Sequence, residues 1–312
     1  SHLHLESANL SISFSNIKYG WEGEGNIDTE SQLNDNYTLQ STSPCIDAGN
    51  PESDLDSDGT IADMGAYPFF QIPGCIDSLA TNFDTEANTN DGSCEYPDNG
   101  DYSLSFDGVD DYVDIGNASE LNPQNLSIAA WVKFGPEEGG TILGKNGYWN
   151  NSYQYYLRTL NGNPGFGISN YGTYDSYLEL FDNNTNLSDD TWHFLVGTFD
   201  GSTSRLYIDG ELSAQDETIG EGISVIDVNT YIGRYRIEEG VGSFFFTGNI
   251  DKISLWNREL TITEVQELMI SNAESGDNDL IAMYKFNSGS GTTLYDHSGN
   301  GNHGTINGAT WV

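Results

Sequence analysis

The stretch that decides the fold is Asp296-His-Ser-Gly-Asn300-Gly-Asn302-His-Gly-Thr-Ile-Asn-Gly, close to the end of the chain. It places carboxylate, amide and carbonyl oxygens on a glycine-rich loop, and these are the ligands that Ca²⁺ prefers in proteins. A second stretch, Gly248-Asn-Ile-Asp251-Lys-Ile253-Ser-Leu255-Trp, predicts a β-strand in which Asp251 shares a face with Ile253 and Leu255. A carboxylate on an apolar face needs a cation or a set of donors. The two stretches together predict a calcium-stabilised β-sandwich.

A third stretch, Phe106-Asp-Gly-Val-Asp-Asp-Tyr-Val113, completes the pattern. With it, residues 102–312, about two thirds of the chain, resemble the laminin-G-like, concanavalin-type jelly-roll modules of secreted proteins. In many members the strand before the Asn/Gly loop precedes the Phe-Asp-Gly strand, whereas here it comes last. Because the chain ends of a domain usually lie close together, we expect the permuted order to build the same sheet pair.

The resemblance also implies a metal position. The family's metal site maps to Asp251 and Asp296, and less directly to Asn300 and Asn302, where backbone carbonyls are an alternative source of ligands. We therefore expect Ca²⁺ as the cofactor of the sandwich.

Hydrophobic alternation supports an all-β fold for residues 101–312. Leu126, Ile128, Ala130, Val132 and Phe134 are predicted on one face of a strand, with Trp131 on the other. An Asp209-Gly210 turn predicts a β-hairpin. Thr261-Ile-Thr-Glu264 reads as a helix capping box. The prediction is a two-sheet jelly-roll sandwich with one short helix.

Two smaller pieces precede the predicted sandwich. Residues 1–72 resemble the C-terminal end of a right-handed parallel β-helix, and we interpret them as the truncated end of a solenoid. Residues 73–97 resemble a short cysteine-bounded calcium-type spacer repeat of large surface proteins. A segment of that length has too few apolar residues for a core and needs staples.

Three cysteines are present, so at least one is unpaired. Cys75 and Cys94 frame the loop-rich spacer and are the predicted disulfide, which would stabilise it by about 3 kcal/mol in the chain-entropy model. Cys45 is predicted to be a buried thiol. A disulfide implies an oxidising compartment, so we expect a secreted or cell-surface location.

Both small pieces contain further candidate calcium ligands. In residues 54–63 acidic side chains alternate before a glycine, as in the first half of an EF-hand loop, but Gly65 stands where the bidentate Glu is expected. Either a single-loop calcium site or an acidic surface turn explains this pattern, and the same two alternatives apply to the spacer. The candidate ligands are Asp54, Asp56, Asp58 and Asp63 in the first piece, and Asn82, Asp84 and Asp91 in the second.

Composition excludes some functions. The chain of 312 residues carries 48 acidic and 10 basic residues, for a net charge of −38. A phosphate backbone would be repelled, so we expect no nucleic-acid partner. No apolar run is long enough to span a membrane, and there is no signal-peptide pattern. We interpret the chain as a piece of a larger multidomain protein that is exported.

The sequence favours binding over catalysis. Concanavalin-type glycoside hydrolases use paired carboxylates on one strand face, and no such spacing is present. Aromatic rings pack on sugar C–H surfaces, while amides and guanidinium groups bind hydroxyls. Residues 148–177 are rich in such side chains, although tyrosine is also a common strand residue. The candidate ligand-binding residues are Tyr148, Trp149, Tyr153, Tyr155, Arg158, Tyr171 and Tyr174.

Three arginines, Arg205, Arg234 and Arg236, are scarce positive charges that would suit either an acidic sugar or local ion pairs. The expected function is a non-catalytic, lectin-like module that binds a glycan or another cell-surface ligand. Two alternatives remain: a structural or adhesion spacer that binds a protein partner, or an accessory module of a polysaccharide-degrading β-helix enzyme.

Overall fold

The computed structural model describes residues 11–136, 138–146, 153–169, 177–217, 223–235, 244–271, 277 and 279–312. Contacts within the chain divide it into two compact units. The smaller unit runs as far as Ser78 and includes Asn82–Ser93, and the larger unit comprises Leu79–Thr81 and Cys94–Val312.

The described residues form short strands, one α-helix and a 3-10 turn at Ser119–Leu121. In chain order the elements are β1 (Pro73–Gly74), β2 (Thr89–Asn90), β3 (Leu104–Asp107), β4 (Tyr112–Asp114), β5 (Leu126–Lys133), β6 (Thr141–Asn146), β7 (Tyr153–Leu160), β8 (Asn163–Ser169), β9 (Tyr177–Phe181), β10 (Trp192–Phe199), β11 (Thr203–Ile208), β12 (Glu211–Glu217), β13 (Thr230–Ile232), β14 (Arg234–Tyr235), β15 (Phe244–Phe245), β16 (Thr247–Trp256), α1 (Ile262–Ile270), β17 (Leu280–Tyr284), β18 (Thr293–Leu294), β19 (Gly304–Asn307) and β20 (Thr310–Trp311).

The smaller unit is built mainly from turns. Asn16 and Ile27 form an isolated parallel bridge, and β1 pairs with β2 in parallel. Among its described apolar side chains, Leu39 and Cys45 are buried at 3% and 1% exposure. The predicted disulfide joins Cys75 and Cys94, and Cys45 is a free, buried thiol. The cysteine predictions are confirmed.

The larger unit is a jelly-roll sandwich of two eight-stranded sheets. The β5 sheet has the order β12-β11-β10-β5-β16-β3-β20, with β17 paired to β16. The β7 sheet has the order β18-β19-β4-β13-β6-β7-β8-β9. All neighbouring strands in both sheets are antiparallel, which fits the hydrophobic alternation of the sequence. The predicted fold class is confirmed.

The core lies between the two sheets. Leu126, Ile128, Ala130 and Val132 of β5 all belong to it, as the alternation predicted, and Trp131 packs on the opposite face. On that face α1 covers a second apolar cluster through Val265. The helix begins with the predicted capping box between Thr261 and Glu264.

The C-terminal segment contributes to both sheets. Strand β17, whose five residues are all buried, pairs with β16, and β20 pairs with β3 in the β5 sheet. Strand β19 pairs with β4 in the β7 sheet. At the edge, Ser103 and Val312 exchange two backbone hydrogen bonds of 3.0 Å. The segment that comes last in the chain thus completes the sandwich.

The orientation predicted for Asp251 is wrong. A β-bulge in β16 shifts its register against β5 between Asp251 and Ser254, and Lys252 adopts a positive φ of 49°. Ile250 and Ile253 therefore both face the core, and Asp251 lies opposite Trp131 on the other face of the sheet. One extra residue in a strand moves all later side chains to the opposite face, so alternation in the sequence no longer predicts which face each residue occupies.

Candidate functional site

Successive side chains of strand β7 point to opposite sides of the β7 sheet. Tyr155 and Leu157 point into the core between the sheets. Tyr156 and Arg158 alternate with them and therefore lie on the side of the β7 sheet away from that core, which we call the outer face. Strands β6, β8 and β9 bring further residues to the same face.

One group on the outer face is built around a guanidinium. The Arg158 Nη2 donates to Glu179 Oε1 at 3.0 Å, and the hydroxyl of Tyr156 donates to the same carboxylate. The guanidinium carbon lies 4.6 Å from the ring centre of Tyr156 and 5.1 Å from that of Phe181. We call these four residues the Arg158 cluster. Its polar and aromatic groups fix one another in position.

Glycines make room for the Arg158 cluster. On β8, Gly165 and Gly167 occupy the outward positions, whereas Phe166 and Ile168 point into the core. A Cβ at Gly167 would lie 2.2 Å from the Tyr156 ring, and one at Gly165 would lie 2.3 Å from the Phe181 ring. The two rings lie directly on the backbone of β8 because those positions have no side chain.

A second guanidinium lies across β6 from the first. The Arg234 guanidinium stands over the rings of Tyr112, Tyr231 and Phe245, at 4.6, 5.0 and 5.8 Å from their centres. We call these four residues the Arg234 cluster. Arg234, Tyr112 and Phe245 are all partly exposed.

Gly144 on β6 separates the two clusters. It lies opposite Tyr156 on one neighbouring strand and opposite Tyr231 on the other. Two strand spacings place these tyrosines about 10 Å apart. A Cβ at Gly144 would meet the Asn146 side-chain nitrogen at 2.5 Å, so the Asn146 amide lies beside this gap on the outer face.

Unpartnered polar atoms concentrate on the outer face. Twelve buried side-chain nitrogen or oxygen atoms of the described residues have no hydrogen-bond partner. Six of them belong to this face, namely Thr141 Oγ1, Asn146 Oδ1 and Nδ2, Gln154 Nε2, Arg158 Nε and Arg234 Nε. Buried polar groups are normally satisfied, and Thr141, Asn146 and Gln154 have no exposed surface, so this face holds polar groups that the described residues leave unsatisfied.

Lys145 lies behind the outer face. It alternates inward from Gly144, has no exposed surface, and donates from Nζ to Asn117 Oδ1 at 2.5 Å. Burial lowers the pKa of its amine to about 8, and Asp227 opposes that change. The amine joins the strand to the neighbouring loop and does not point at the outer face.

The predicted ligand-binding residues divide into four groups. Arg158 lies on the outer face. Tyr155 is fully buried, and its hydroxyl donates to the Leu121 carbonyl at 3.0 Å, so its ring has no free face for a ligand. Burial raises the pKa of this phenol. Tyr153 begins β7. Tyr148, Trp149, Tyr171 and Tyr174 lie outside the described residues.

Sequence reasoning did not identify the partners of Arg158. Glu179 and Phe181 come from β9, and from the sequence Arg234 is a scarce charge that suits either an acidic sugar or a local ion pair. The detectable signal is β8, where glycine alternates with core residues over Gly165-Phe-Gly167-Ile. A strand that lacks side chains on one face indicates that another group lies close to its backbone.

The structure places Asp296 at the centre of a hydrogen-bond set. Its carboxylate accepts from the backbone nitrogens of Met283, Ser298 and Asn302, each at 2.9 Å, and from the Ser298 hydroxyl at 2.8 Å. The side chain is fully buried. These donors already satisfy both oxygens and fix the loop against β17.

The two predicted asparagine ligands of the same loop also have protein partners. Asn300 Nδ2 donates to the carbonyls of Leu280 and Ile281 at 2.8 and 2.9 Å. Asn302 Nδ2 donates to Ile281 at 3.0 Å. Both amides therefore tie the loop to β17.

Asp251 lacks such donors. Its Oδ1 is buried without a hydrogen-bond partner, and its Oδ2 lies 3.9 Å from Lys252 Nζ. Burial raises the pKa of this carboxyl to about 7, while Lys252 opposes the rise and the nearby charge of Asp101 adds to it. An unsatisfied buried carboxylate oxygen fits a cation ligand, and Asp251 has such an oxygen among the described residues, whereas both oxygens of Asp296 accept hydrogen bonds.

The candidate metal ligands of the smaller unit organise turns. Asp56 accepts from the Asp63 nitrogen at 3.1 Å, Asp58 accepts from the Gln71 nitrogen at 2.8 Å, and Asp63 accepts from the Asp47 nitrogen at 2.8 Å. Asp54 is exposed.

In the predicted spacer, the same pattern holds. Asp84 and Asp91 cap the backbone nitrogens two residues ahead, at Glu86 and Ser93, and Asn82 Nδ2 donates to the Ser93 carbonyl at 2.7 Å. Hydrogen bonds from Ser93 lower the pKa of Asp91.

A different acidic group was not predicted as a metal site. In the described part of the chain, the one set of three acidic, histidine or cysteine side chains with ligand atoms within 4.8 Å of one another is Asp107, Asp110 and Asp111. Asp111 is buried and accepts from the Asp107 nitrogen at 2.9 Å. Burial and the neighbouring acids raise the Asp111 pKa. The cluster follows β3 in the Phe-Asp-Gly stretch.

Comparison with known proteins assigns the class. A concanavalin-type sandwich with an outward aromatic and polar face belongs to the broad class of lectin and glucanase folds. The Laminin_G_3 family model, described as the concanavalin A-like lectin/glucanases superfamily, matches residues 107–266, about half of the chain. The chain belongs to this family.

A solved structure of similar fold supports the sandwich. The chain is similar to a candidate carbohydrate-binding protein from Bacteroides ovatus, with a TM-score of 0.54 and 17% identity over 74% of this chain and 65% of that one. It thus spans just under two thirds of that structure's length. A heptameric pentraxin from Limulus polyphemus matches with a TM-score of 0.42 and 15% identity, covering 54% of this chain and 82% of that one. No curated protein matches the chain.

Proposed function

We propose that the larger unit is a non-catalytic carbohydrate-binding module, stabilised by Ca²⁺, of a secreted or cell-surface protein. The observation that carries the proposal is the outer face of the β7 sheet, with its two guanidinium–aromatic clusters and its six unpartnered polar atoms. The family of the chain supports the same class of ligand. The Bacteroides ovatus relative, described as a candidate carbohydrate-binding protein, also supports it.

The chemistry of the outer face suits a sugar. Aromatic rings offer flat apolar surface to sugar C–H groups, and amide and guanidinium groups bind hydroxyls. Asn146 is buried and offers a donor and an acceptor that no described protein group uses. A ligand that satisfied them would gain hydrogen bonds without breaking any within the protein.

The arrangement of the acids favours binding over hydrolysis. Glycosidases need one carboxyl group to protonate the leaving oxygen and a second to act as nucleophile or base. Glu179 is held by Tyr156 and Arg158. Both oxygens of Asp114 lie 3.0 Å from Asn229 Nδ2. These two described outer-face carboxylates therefore have positioning partners.

Calcium is the proposed cofactor, and Asp251 is its proposed ligand. The buried, unpartnered Oδ1 supports this choice. When bound, Ca²⁺ would supply the positive charge that this carboxylate otherwise lacks. The Asp107, Asp110 and Asp111 cluster is a second candidate position.

We further propose that the chain belongs to a larger exported protein. Residues 1–72 would cap a parallel β-helix and residues 73–97 would act as a spacer. The Cys75–Cys94 disulfide is compatible with an extracellular location. No helix of the described residues is long and apolar enough to cross a membrane.

A glycan array, followed by calorimetry on each hit, tests the proposed function. The variant Asn146→Ala should weaken binding about tenfold or more while leaving the melting temperature unchanged or slightly raised, because its amide has no partner to lose among the described residues. Ser204→Ala is the matched control, since it removes an unpartnered buried hydroxyl from the β5 sheet and should leave affinity unchanged.

Two results would contradict this proposal. If the module bound no glycan on the array but captured a defined protein partner, the result would favour the adhesion alternative. Turnover of a bound oligosaccharide, detected as new reducing ends, would show that the module is an enzyme.

A further inference from the structure

Among the described residues of this strongly acidic chain, Arg234 has no counter-charge. Four arginines lie in the described residues, and three of them, Arg158, Arg205 and Arg258, have a carboxylate oxygen within 4.0 Å. Arg234 has no such partner among the described carboxylates, and its Nε is buried without a hydrogen bond. With 48 acidic residues available, an arginine that pairs with none of those described needs a separate explanation.

The surrounding rings hold the Arg234 guanidinium in place. Tyr112 and Tyr231 lie closest, with the guanidinium carbon 4.6 and 5.0 Å from their ring centres. Aromatic rings against the faces of a guanidinium leave its N–H donors free along the edges. Such a fork matches the paired oxygens of a carboxylate or the oxygens of a sulfate.

The carboxylate of Asp114, on strand β4 beside β13, already has a hydrogen-bond partner. Asp114 lies opposite Tyr231, and both of its oxygens lie 3.0 Å from Asn229 Nδ2. Arg234 is partly exposed, so a ligand can reach it. The net charge of −38 repels anions at long range. At physiological ionic strength, however, salt screens this repulsion beyond a Debye length of about 8 Å. Short-range pairing with Arg234 then decides the preference.

We propose that Arg234 is the anion subsite of the outer face, and that the preferred ligand is an acidic glycan whose carboxylate or sulfate group pairs with this guanidinium. This inference rests on the proposed carbohydrate-binding function and specifies its ligand class. The Arg158 cluster, about 10 Å away across β6, contacts the neighbouring part of the same glycan.

An array of paired glycans tests the ligand class. Oligouronates, sialylated glycans and sulfated glycans are each printed beside their carboxyl-reduced, desialylated or desulfated counterparts. The acidic form of the ligand should bind about 10- to 100-fold more tightly than its neutral counterpart, as expected for a charged hydrogen bond. Preference for a carboxylate or for a sulfate identifies the group that Arg234 binds.

Two array results overturn the inference in different ways. Equal binding of acidic and neutral members would reject the acidic ligand class while leaving carbohydrate binding intact. Absence of binding to every glycan would reject the proposed function and, with it, this subsite.

A variant set locates the subsite. Arg234→Gln should lower affinity for the acidic glycan about 10- to 100-fold and leave its neutral counterpart within twofold. Arg234→Lys should give an intermediate loss, because lysine keeps the charge and lacks the planar fork. Lys133→Gln removes the same charge from an exposed pair on the β5 sheet and should change affinity less than twofold. Equal losses in Arg234→Gln and Lys133→Gln, with melting temperatures preserved, would overturn the assignment.

Discussion

Tyr155 and Tyr156 show how much one position decides in a strand. The first is sealed in the core with its hydroxyl on the Leu121 carbonyl, and the second lies on the outer face beside Arg158. Composition alone cannot distinguish two adjacent tyrosines, but the alternation of Leu157 and Arg158 that follows them can. Both side chains are fully buried, and parity decides which side of the β7 sheet each one faces.

The two aspartates of the predicted calcium site should respond differently to Ca²⁺. At about a hundred times its dissociation constant, Ca²⁺ adds roughly 2.7 kcal/mol to the unfolding free energy. Asp251→Asn should abolish that difference between Ca²⁺ and EDTA, measured by urea unfolding. Asp296→Asn should instead lower stability by about 2–4 kcal/mol in both conditions, because donors lose a buried acceptor.

Asp110→Asn tests whether Ca²⁺ binds at the second candidate position, the cluster of Asp107, Asp110 and Asp111. It should leave the Ca²⁺ response unchanged if Asp251 is the ligand. Equal stability of the unsubstituted protein in Ca²⁺ and EDTA would reject calcium binding. Loss of the response in Asp296→Asn alone would return the site to the loop that follows β17.

His193 should make stability depend on pH. Its Nδ1 lies 2.9 Å from Asp209 and its Nε2 lies 3.2 Å from Asp189, so it links the loop before β10 to the turn between β11 and β12. Burial disfavours the charged imidazole, but hydrogen bonds to the two aspartates outweigh burial and raise its pKa. Lys133, paired with Asp190, is the neighbouring cation.

The sign of the His193 effect follows from that raised pKa. The interactions of protonated His193 with the two aspartates contribute fully to the unfolding free energy below about pH 6.5, the ordinary histidine pKa. That contribution is lost as the pH rises through the folded-state pKa of His193. His193→Gln should therefore lower the melting temperature by about 2–4 °C near pH 6. The difference should disappear near pH 9 in calorimetric scans. A difference that is constant with pH would show that the imidazole acts by packing alone.

At the scale of elements, the bulge in β16 limits what sequence can predict. Alternation correctly assigned the faces of β5, where every residue from Leu126 to Lys133 pairs in register with β10. In β16 the extra residue at Lys252 reverses the parity, and no local pattern in Ile250-Asp-Lys-Ile253 announces it. The glycine alternation of β8 was equally visible in the sequence, but its meaning depends on residues from β7 and β9.

The helix offers an element-scale prediction. Thr261 caps the backbone nitrogen of Glu264, whose side chain returns to the Thr261 nitrogen at 2.7 Å. Thr261→Ala should lower the unfolding free energy by about 1 kcal/mol. Thr263→Ala, in the exposed first turn, is the matched control and should leave stability unchanged or slightly improve it. Equal effects of the two variants, measured by urea unfolding, would show that the cap contributes nothing.

At the scale of the whole molecule, the permuted order of motifs was predictable. A sandwich requires all of its strands to be present, but it does not require them to follow one another in a fixed order along the chain. The paired sheets, the helix and the disulfide follow from alternation, capping residues and cysteine spacing. The ligand surface does not, because Tyr156, Glu179 and Arg234 are far apart in the chain and meet only through the strand order of the β7 sheet. Long-range pairing leaves no local signal at any one of them.

Deletion of residues 277–312 should destroy the sandwich. It removes β17 from the β5 sheet and β19 from the β7 sheet, together with core residues such as Tyr284 and Phe286. We expect an insoluble or molten product that lacks near-UV circular dichroism and a cooperative melting transition. A truncated protein that melts cooperatively would contradict a structural role for the last strands.

The edge pair of β3 and β20 has a mechanical consequence. Ser103 and Val312 face each other at its end, so the chain enters and leaves the sandwich at one point. A force that pulls these two ends apart loads the hydrogen bonds of the pair one after another, as in the opening of a zipper, instead of shearing them all at once. Under tension, β20 would peel away from β3 at low force while the strands that carry the outer face are still unloaded.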